Sequence, residues 1–351
     1  RGSQHRGLIN INTPHHNQEE ALTTSGNSES YEDERYLVFD CGPLGAGNHG
    51  HLDLLSFEMA AFGQSLIVDP GRYTYDESGE TNWRVLFRGT GYHNTVQVDG
   101  LNQTRYEFHK KKYKITGEHP DYELKSFVSK PGFDYLHGIA RSHEYPVVHE
   151  RKILFINGEY WVVYDVLRSD DVHNYDLLFH LAATALSNVS IHNGAENITV
   201  DAPNLVMVQA SMPGVTVSSE TGYVSPTYGV KQEAPVIKFN QKATESCFIT
   251  VLYPYKQERP ELNVTLLPVS NTNGTCDPFT ASCLVVKTET EGHVIKDRIF
   301  MANEPGRFKL DSLIMNSELL FQRMDSSGSL LAQFEYPTTG NFGINLHDQG
   351  C

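Results

Sequence analysis

The chain has 351 residues and a formal net charge of −15, with 28 Lys and Arg against 43 Asp and Glu. This acidic balance argues against a nucleic-acid partner, which usually requires a basic surface, and no apolar stretch approaches the roughly 20 residues that a membrane helix needs. Hydrophobic residues make up 39% of the chain, so a packed core is expected.

The first 34 residues are polar and show little periodicity, and we interpret residues 1–34 as a lead-in or linker. No apolar signal region follows Arg1, and the chain does not begin with Met. We therefore expect a piece of a longer precursor. We also expect a secreted or periplasmic location, although this sequence contains no secretion signal.

From Tyr36 onward the pattern predicts short β-strands separated by turn residues. Asn157-Gly158, between two apolar runs, is a strong hairpin signal. The segment 54–61 is also predicted as a strand, because it lies between two strand-like runs. The fold class is therefore all-β, a large antiparallel β-sandwich over residues 35–351 with a soft boundary near 254–260. The predicted strands include Tyr36–Phe39, Leu66–Val68, Thr95–Val98, Ile153–Ile156, Tyr160–Tyr164, Tyr175–His180, Leu205–Val208, Cys247–Tyr253, Leu284–Val286 and Leu319–Phe321.

Five cysteines are too few for a disulfide scaffold. Cys276 and Cys283 enclose a short loop that contains a proline. Two interpretations stay open for this pair, a disulfide in an exported protein or two unpaired thiols.

One glycine-rich turn carries a concentration of polar side chains, Asn48, His49, His51 and Asp53. If a strand begins here, His49, His51 and Asp53 share one face, because side chains at i and i+2 point the same way. Two further strand-like runs lie beside Asp69 and His93.

Two imidazoles and a carboxylate form a common zinc-binding set with room for a fourth ligand. His51, Asp69 and His93 are candidates for such a set. Asp53 is a rival ligand, although we favour it as a hydrogen-bond acceptor that supports a ligand. The alternative is that His51 and His93 are ordinary buried histidines.

Asn48-His49 suggests a different chemistry. An amide donor beside an imidazole can neutralise a carboxylate while the adjacent C–H loses its proton, which is what β-elimination on a uronic acid requires. The alternative is a glycine-rich turn with polar caps.

A local excess of positive charge follows this motif. Residues 72–115 contain eight Lys and Arg against five Asp and Glu, which fits a polyanionic ligand. Arg72, Arg84 and Arg88 are the candidate substrate-binding residues because they lie among the motif residues. The lysines of 110–114 are more typical of a solvated hairpin.

Taken in order, these motifs resemble the heparinase II/III-like β-sandwich of polysaccharide lyases over about residues 36–255. The fuller pattern is most similar to polysaccharide lyase family 15, the branch with exolytic alginate and heparin lyases. The motifs that carry the resemblance are Asn48-His49-Gly50-His51-Leu52-Asp53, Val68-Asp69-Pro70-Gly71 with Arg72-Tyr73-Thr74-Tyr75, Trp83 to Gly100, His149 to Phe155, Trp161 to Asp165, Phe179-His180 and Phe248 to Pro254.

The resemblance implies a structural metal, usually zinc, at His51, Asp69 and His93. It implies that Asn48 and His49 face the carboxylate of the substrate. It also implies an N-terminal (α/α) toroid that supplies a catalytic tyrosine and another histidine, and no segment of this sequence has that helical character. The chain is therefore expected to be the C-terminal β portion of a lyase, incomplete without the toroid.

The expected partners are an anionic polysaccharide and the toroid of the same precursor, with no nucleic acid and no membrane. The expected activity is β-elimination on a uronate polymer of the alginate or heparin/heparan type, and Tyr73 is added to Asn48 and His49 as a catalytic candidate. Two alternatives stay open, a non-catalytic carbohydrate-binding β module and a uronyl C5-epimerase. An aromatic residue that only packs against the sandwich is the alternative for Tyr73.

Overall fold

The computed structural model describes residues 8–12, 33–45, 49–290 and 292–336. Strands account for 60% of the structure and helix for 4%, and the sheets are antiparallel, which confirms the predicted all-β class. Among the described residues, no helix is long and apolar enough to cross a membrane.

The chain divides into two compact units. The first comprises Arg1–Ile191, Val200–Met207 and Met212–Lys256, and the second comprises His192–Thr199, Val208–Ser211 and Gln257–Cys351. The change from one unit to the other at Lys256–Gln257 falls inside the region 254–260, where proline-containing steps interrupt the strand pattern.

A small antiparallel sheet opens the first unit, with its strands paired in chain order. Its first strand lies within the segment that we assigned to the lead-in; the other residues of that segment, apart from Asp33 and Glu34, lie outside the described residues. On the second strand Leu37 and Phe39 are buried and their neighbours are not, as alternation predicts. The strands are β1 (Leu8–Asn12), β2 (Arg35–Asp40), β3 (Phe57–Ala61) and β4 (Gln64–Ile67).

The predicted strand over 54–61 begins only at Phe57. Leu54 and Leu55 form a turn, and the φ angle of Leu55 is 64°. The carbonyl and amide of Leu54 bond to the Gln103 side chain, at 2.8 and 2.9 Å, in place of a strand partner. The prediction was therefore correct only for the second part of the segment.

A short helix and several short strands follow. The helix α1 begins after Asn82, whose side-chain oxygen accepts a hydrogen bond from the Val85 amide at 3.1 Å. The elements of this stretch are α1 (Trp83–Arg88), a 3-10 turn (Thr90–Tyr92), β5 (Val96–Val98), β6 (Tyr106–His109) and β7 (Lys112–Ile115).

Nine consecutive strands, together with β5, belong to the large sheet. They are β8 (Asp121–Lys130), β9 (Phe133–Arg141), β10 (Val148–Ile156), β11 (Tyr160–His180), β12 (Ser190–Asn193), β13 (Asn197–Ala202), β14 (Leu205–Ala210), β15 (Thr216–Thr227) and β16 (Val230–Pro254), with a 3-10 turn at Ala183–Ala185 between β11 and β12. The order through its centre is β8-β9-β10-β11-β16; in addition, β15 pairs with β16, and β5 pairs with the second half of β11.

Ile153–Ile156 of β10 and Tyr160–Tyr164 of β11 are buried at every position, so both faces of the sheet are covered there, which explains why these segments are apolar without alternation. Asn157-Gly158 forms the predicted hairpin between β10 and β11, and both residues have positive φ angles, 50° and 67°. Gly138 on β9 shows how closely the two layers pack. A Cβ there would lie 2.7 Å from Leu55 Cδ2 and 2.9 Å from Phe39 Cζ.

The second unit contains a five-stranded antiparallel sheet in the order β17-β20-β21-β24-β25 and a smaller sheet in the order β19-β18-β22-β23. Cys283 lies in its core and Cys276 packs against it, and both are free thiols. The strands are β17 (Glu261–Leu267), β18 (Ser270–Asn271), β19 (Gly274–Thr275), β20 (Ala281–Thr290), β21 (His293–Ala302), β22 (Phe308–Leu310), β23 (Leu313–Met315), β24 (Leu319–Met324) and β25 (Leu330–Tyr336).

Arg151 on β10 is completely buried in the first unit and connects the sheet to two loops. Its guanidinium donates to both carboxylate oxygens of Asp165, at 2.7 and 3.1 Å. The same group donates to the carbonyls of Leu55 and Asn94, each at 2.6 Å. Burial raises the pKa of Asp165, but Arg151 and His149 lower it by more, so the carboxylate is held in its charged form.

We expect Arg151→Met to destabilise the first unit by about 3–5 kcal/mol, because it leaves the Asp165 carboxylate without its charge partner and two carbonyls without donors. Urea denaturation measures the change. Arg105→Met is the matched control, since Arg105 pairs with Glu144 while its side chain is 61% exposed, and it should cost less than about 1 kcal/mol. Equal stabilities for the two variants would contradict the role given to Arg151.

Candidate functional site

The loop 49–56 is irregular backbone and not a strand. The predicted reason for a shared face, side chains at i and i+2 of a strand, is therefore wrong for His49, His51 and Asp53. Hydrogen bonds to residues outside the loop hold its backbone in this conformation. Thr90 Oγ1 donates to the Leu52 carbonyl at 2.8 Å, and the Leu52 amide donates to the Arg88 carbonyl at 2.9 Å.

Arg88 supports this loop from inside the protein. It is 3% exposed, and its Nε and Nη2 both donate to the Gly50 carbonyl, at 2.9 and 2.7 Å. Its Nη1 donates to the Tyr106 hydroxyl at 2.7 Å. This burial does not support the predicted contact between Arg88 and a substrate, because a polymer cannot reach the guanidinium. Arg88 is a positioning residue in this structure.

Close backbone packing also shapes the loop. A Cβ on Gly50 would lie 2.9 Å from the Gly45 carbonyl oxygen and 3.1 Å from its amide nitrogen. Only glycine allows the two backbones to approach this closely. Asn48 lies between these two glycines, outside the described residues.

Four side chains from three segments meet beside this loop. One ligand atom from each of His51, Asp53, Asp69 and His93 lies within 4.8 Å of the other three. The rings of His51 and His93 are 5.2 Å apart, and His93 Nδ1 is 2.8 Å from Asp69 Oδ2. The structure thus brings together the three predicted metal ligands, together with Asp53.

His93 is 0% exposed, and its Nε2 has no hydrogen-bond partner. A buried nitrogen without a partner is costly, so this atom indicates that the cluster has the capacity to bind another group. Imidazoles and carboxylates at this spacing are the donors that zinc prefers. The residues present therefore fit a zinc ion.

The charges within the cluster are distributed unequally. Burial raises the pKa of Asp69, but His93 and His51 lower it by more, to about 2. Burial lowers the pKa of His93, yet the Asp69 carboxylate raises it by more, and the net shift is upward. Burial and the neighbouring His93 lower the pKa of His51 to about 3. His51 is therefore neutral near pH 7, which is the form of imidazole that binds a metal.

Asn94, which sequence reasoning did not single out as a site residue, positions two of these ligands. Its Nδ2 donates to the carbonyls of Phe57 and Val68, at 2.8 and 2.9 Å, and its Oδ1 accepts from the His180 amide at 2.6 Å. Asn94 is adjacent to His93, and Val68 is adjacent to Asp69. The only sequence signal for Asn94 was its position beside His93. The residues that it bonds to lie 26 or more positions away in the sequence, so the sequence did not reveal this role.

His49 is exposed and lies outside the four-residue cluster. Its Nδ1 is 3.1 Å from the Tyr75 hydroxyl and 3.4 Å from Arg72 Nη2. Arg72 also bonds to the Tyr75 hydroxyl. Tyr75 is a second residue that sequence reasoning missed, and its only signal was its place in the motif beside Arg72 and Tyr73.

Tyr73 and Arg84, two further predicted site residues, contact aromatic and acidic side chains. The Tyr73 ring packs against Trp83 and Phe87, with centroids 6.3 and 5.3 Å apart, and its catalytic assignment stays a prediction. Arg84 forms an ion pair with Glu77 at 2.6 Å, and its Cζ lies 5.4 Å from the Tyr75 ring centroid. Arg84 thus lies beside the Tyr75 ring.

A cleft of about 480 Å³ opens beside the loop and joins the two groups of residues. His49 and Arg72 line it together with the cluster residues His51 and Asp69. This size is typical of a small-molecule or oligosaccharide site. The cleft lining therefore includes an exposed imidazole, a guanidinium and part of the metal-binding donor set.

The family model for the C-terminal domain of heparinase II/III-like proteins matches residues 22–265. The chain therefore belongs to this family of β-sandwich domains. The resemblance found in the motifs is confirmed at this level, and the assignment to the family 15 branch stays a prediction.

Two curated relatives are heparin-sulfate lyases. The one from Pedobacter heparinus is 24% identical over 236 residues, which is 65% of this chain and 33% of the relative. The one from Bacteroides thetaiotaomicron is 27% identical over 220 residues, which is 60% of this chain and 29% of the relative. The chain thus spans about a third of the length of these relatives.

Solved structures share the fold. The crystal structure of heparan sulfate lyase HepC from Pedobacter heparinus has a TM-score of 0.58 and 21% identity, covering 73% of this chain and 38% of that protein. A heparinase III structure has a TM-score of 0.62 and 22% identity, covering 86% of this chain and 42% of that protein. At these identities the likeness establishes the β-sandwich architecture alone.

We expect Arg88→Met to lower the free energy of unfolding by about 2–3 kcal/mol, because the Gly50 carbonyl loses a charged donor in a buried place. Thermal or urea unfolding measures the change. Arg141→Met, at an exposed arginine at the end of β9, is the control and should change stability by less than about 0.5 kcal/mol. If the Arg88 variant is as stable as the control, the loop does not depend on this arginine.

Proposed function

We propose that this chain forms the C-terminal part of a polysaccharide lyase, which cleaves a uronic-acid-containing polymer of the heparin/heparan or alginate type by β-elimination. Membership of the heparinase II/III-like C-terminal family supports this proposal, as do the names of the two heparin-sulfate lyase relatives. An anionic polysaccharide is then the substrate, and Arg72 at the cleft offers it a cation.

The observation that carries the proposal is the position of His49. It is exposed at the cleft beside Arg72 and Tyr75, outside the cluster of His51, Asp69 and His93. In β-elimination a base removes the C5 proton of the uronate, a double bond forms between C4 and C5, and the C4–O bond breaks as the leaving oxygen takes up a proton to become a hydroxyl. His49, with Asn48 beside it in the sequence, is assigned to neutralise the carboxylate on C5, which stabilises the charge that develops as the proton leaves.

The base itself is assigned to the partner part of the enzyme. The resemblance implies a catalytic tyrosine and another histidine in an (α/α) toroid, and the relatives are about three times as long as the region that this chain matches, which leaves room for one. Within this chain, Arg72 is assigned to hold an acidic group of the polymer, because a guanidinium pairs well with carboxylates and sulfates.

Zinc is the proposed metal, held by His51, Asp69 and His93, with Asp53 within reach of the same position. A bound zinc ion would cross-link the three segments of the chain that carry these ligands. β-Elimination requires a base and a neutralised carboxylate and does not require an activated water, so the proposed role of the metal is structural. Its ligands then contribute to stability and His49 contributes to turnover.

We expect the purified chain to bind about one zinc ion and His93→Ala to bind none, because removal of a ligand leaves an incomplete donor set. Elemental analysis measures the metal content. A chelator should lower the melting temperature of the parent chain and leave that of His93→Ala unchanged. His109→Ala, on the β6–β7 hairpin, is the control and should retain both the zinc and the response to chelator. Zinc retained by His93→Ala would show that the ion binds elsewhere.

For the enzyme that contains this chain together with the toroid, we expect His49→Ala to lower turnover by about 10²–10⁴-fold. Its melting temperature should stay close to that of the parent, since His49 is exposed. Ultraviolet absorbance of the unsaturated uronate measures turnover on heparin, heparan sulfate and alginate. The chain without the toroid should show little or no turnover.

Three properties of the polymer after incubation separate the alternatives: its absorbance, its length and its configuration at C5. Inversion at C5 with unchanged polymer length indicates an epimerase, and binding without chemical change indicates a carbohydrate-binding module. Loss of stability without loss of turnover in His49→Ala would contradict the role given to this residue.

A further inference from the structure

The tip of the hairpin formed by β15 and β16 lies against the loop that carries Arg72 and Tyr75. Two backbone hydrogen bonds join them, both 2.7 Å long. The Ser225 amide donates to the Pro70 carbonyl, and the Gly229 amide donates to the Tyr73 carbonyl. The hairpin tip therefore lies against the loop whose residues Arg72 and Tyr75 contact His49.

Two further features fix the hairpin in this place. Gly71 has a φ angle of 75°, and a Cβ there would lie 2.7 Å from the Ser225 carbonyl oxygen, so the close approach requires glycine. The Lys231 ammonium lies 3.8 Å from the Trp83 ring centroid and 3.9 Å from that of Tyr223. Such cation–π contacts hold the base of the turn on the neighbouring helix α1.

The turn presents Tyr228, which is 61% exposed, beside Tyr75, which is 38% exposed. Their ring centroids are 6.0 Å apart with an angle of 40° between the rings, and the Tyr75 amide donates to the Tyr228 hydroxyl at 3.4 Å. Tyr75 in turn contacts His49 through its hydroxyl. Tyr228, Tyr75 and His49 thus form one continuous row, with the Arg72 guanidinium beside Tyr75 and His49.

We propose that Tyr228 and Tyr75 form a sugar-stacking subsite next to His49, which takes a glycosyl residue of a uronate-containing oligosaccharide while Arg72 pairs with an acidic group of the same chain. This inference rests on the proposed function and adds residues to the same site.

The chemistry of the row fits this ligand. A pyranose presents an apolar C–H face, which an exposed tyrosine ring covers while its hydroxyl keeps a polar contact. Exposed aromatic residues grouped in one place mark a binding surface more often than isolated ones do. The guanidinium of Arg72 supplies the charge that an acidic sugar needs and a neutral one does not.

The test is the affinity of this chain for two hexasaccharides, measured by calorimetry. One is from heparan sulfate and one is a neutral glucan. We expect Tyr228→Ala to weaken binding of the heparan sulfate hexasaccharide by about 5–20-fold and Tyr228→Phe to weaken it by less than about 3-fold, because the ring remains. Tyr122→Ala, at a tyrosine of β8 that is 44% exposed, is the matched control and should bind as the parent does.

The outcomes separate the two proposals. If the parent binds the heparan sulfate hexasaccharide and Tyr228→Ala binds it equally well, the stacking subsite is overturned while the proposed function stands. If only the neutral glucan is bound, and its binding depends on Tyr228, the stacking subsite stands and the proposed uronate substrate does not. If the parent binds neither, or if Tyr122→Ala weakens binding as much as Tyr228→Ala, the subsite is overturned. Unchanged melting temperatures establish that the variants are folded.

Discussion

The buried guanidinium of Arg151 is the interaction on which the rest of the first unit depends. It neutralises Asp165 inside the large sheet and at the same time donates to the carbonyls of Leu55 and Asn94. Leu55 belongs to the loop of His49 and His51, whereas Asn94 is adjacent to His93. A charge buried in the sheet therefore holds together the two segments that carry the site, and removing water from that charge is compensated by four hydrogen bonds.

The site divides into a supported half and an exposed half. The cluster half lies among backbone groups that are fixed by Arg151, Arg88 and Asn94, and this rigidity suits a metal site whose ligands must not move. The exposed half consists of His49 and the aromatic and basic side chains beside it, on loops and a hairpin tip. Loops on a rigid β scaffold are where binding residues are commonly found.

The strands were largely predictable from the sequence, since alternation and the Asn157-Gly158 turn act locally. The cluster residues were also identified, because histidines and carboxylates beside turns are conspicuous. The conformation of residues 49–56 and the burial of Arg88 could not be predicted from the local sequence. Both depend on hydrogen bonds between residues far apart in the sequence, such as those from Arg88 to Gly50 and from Thr90 to Leu52, each across 38 residues, and neighbouring residues carry no signal for them.

The links made by Arg151 and Asn94 also have a consequence for how the protein folds. Arg151 contacts Leu55 across 96 residues, and Asn94 contacts His180 across 86. Closing loops of this length costs chain entropy before any contact compensates for it, and such contacts slow folding. By contrast, only three residues, Asn157 to Glu159, connect β10 to β11. The β10–β11 hairpin is therefore able to form early on the ribosome or after dilution from denaturant, whereas the cleft exists only once these distant segments have met.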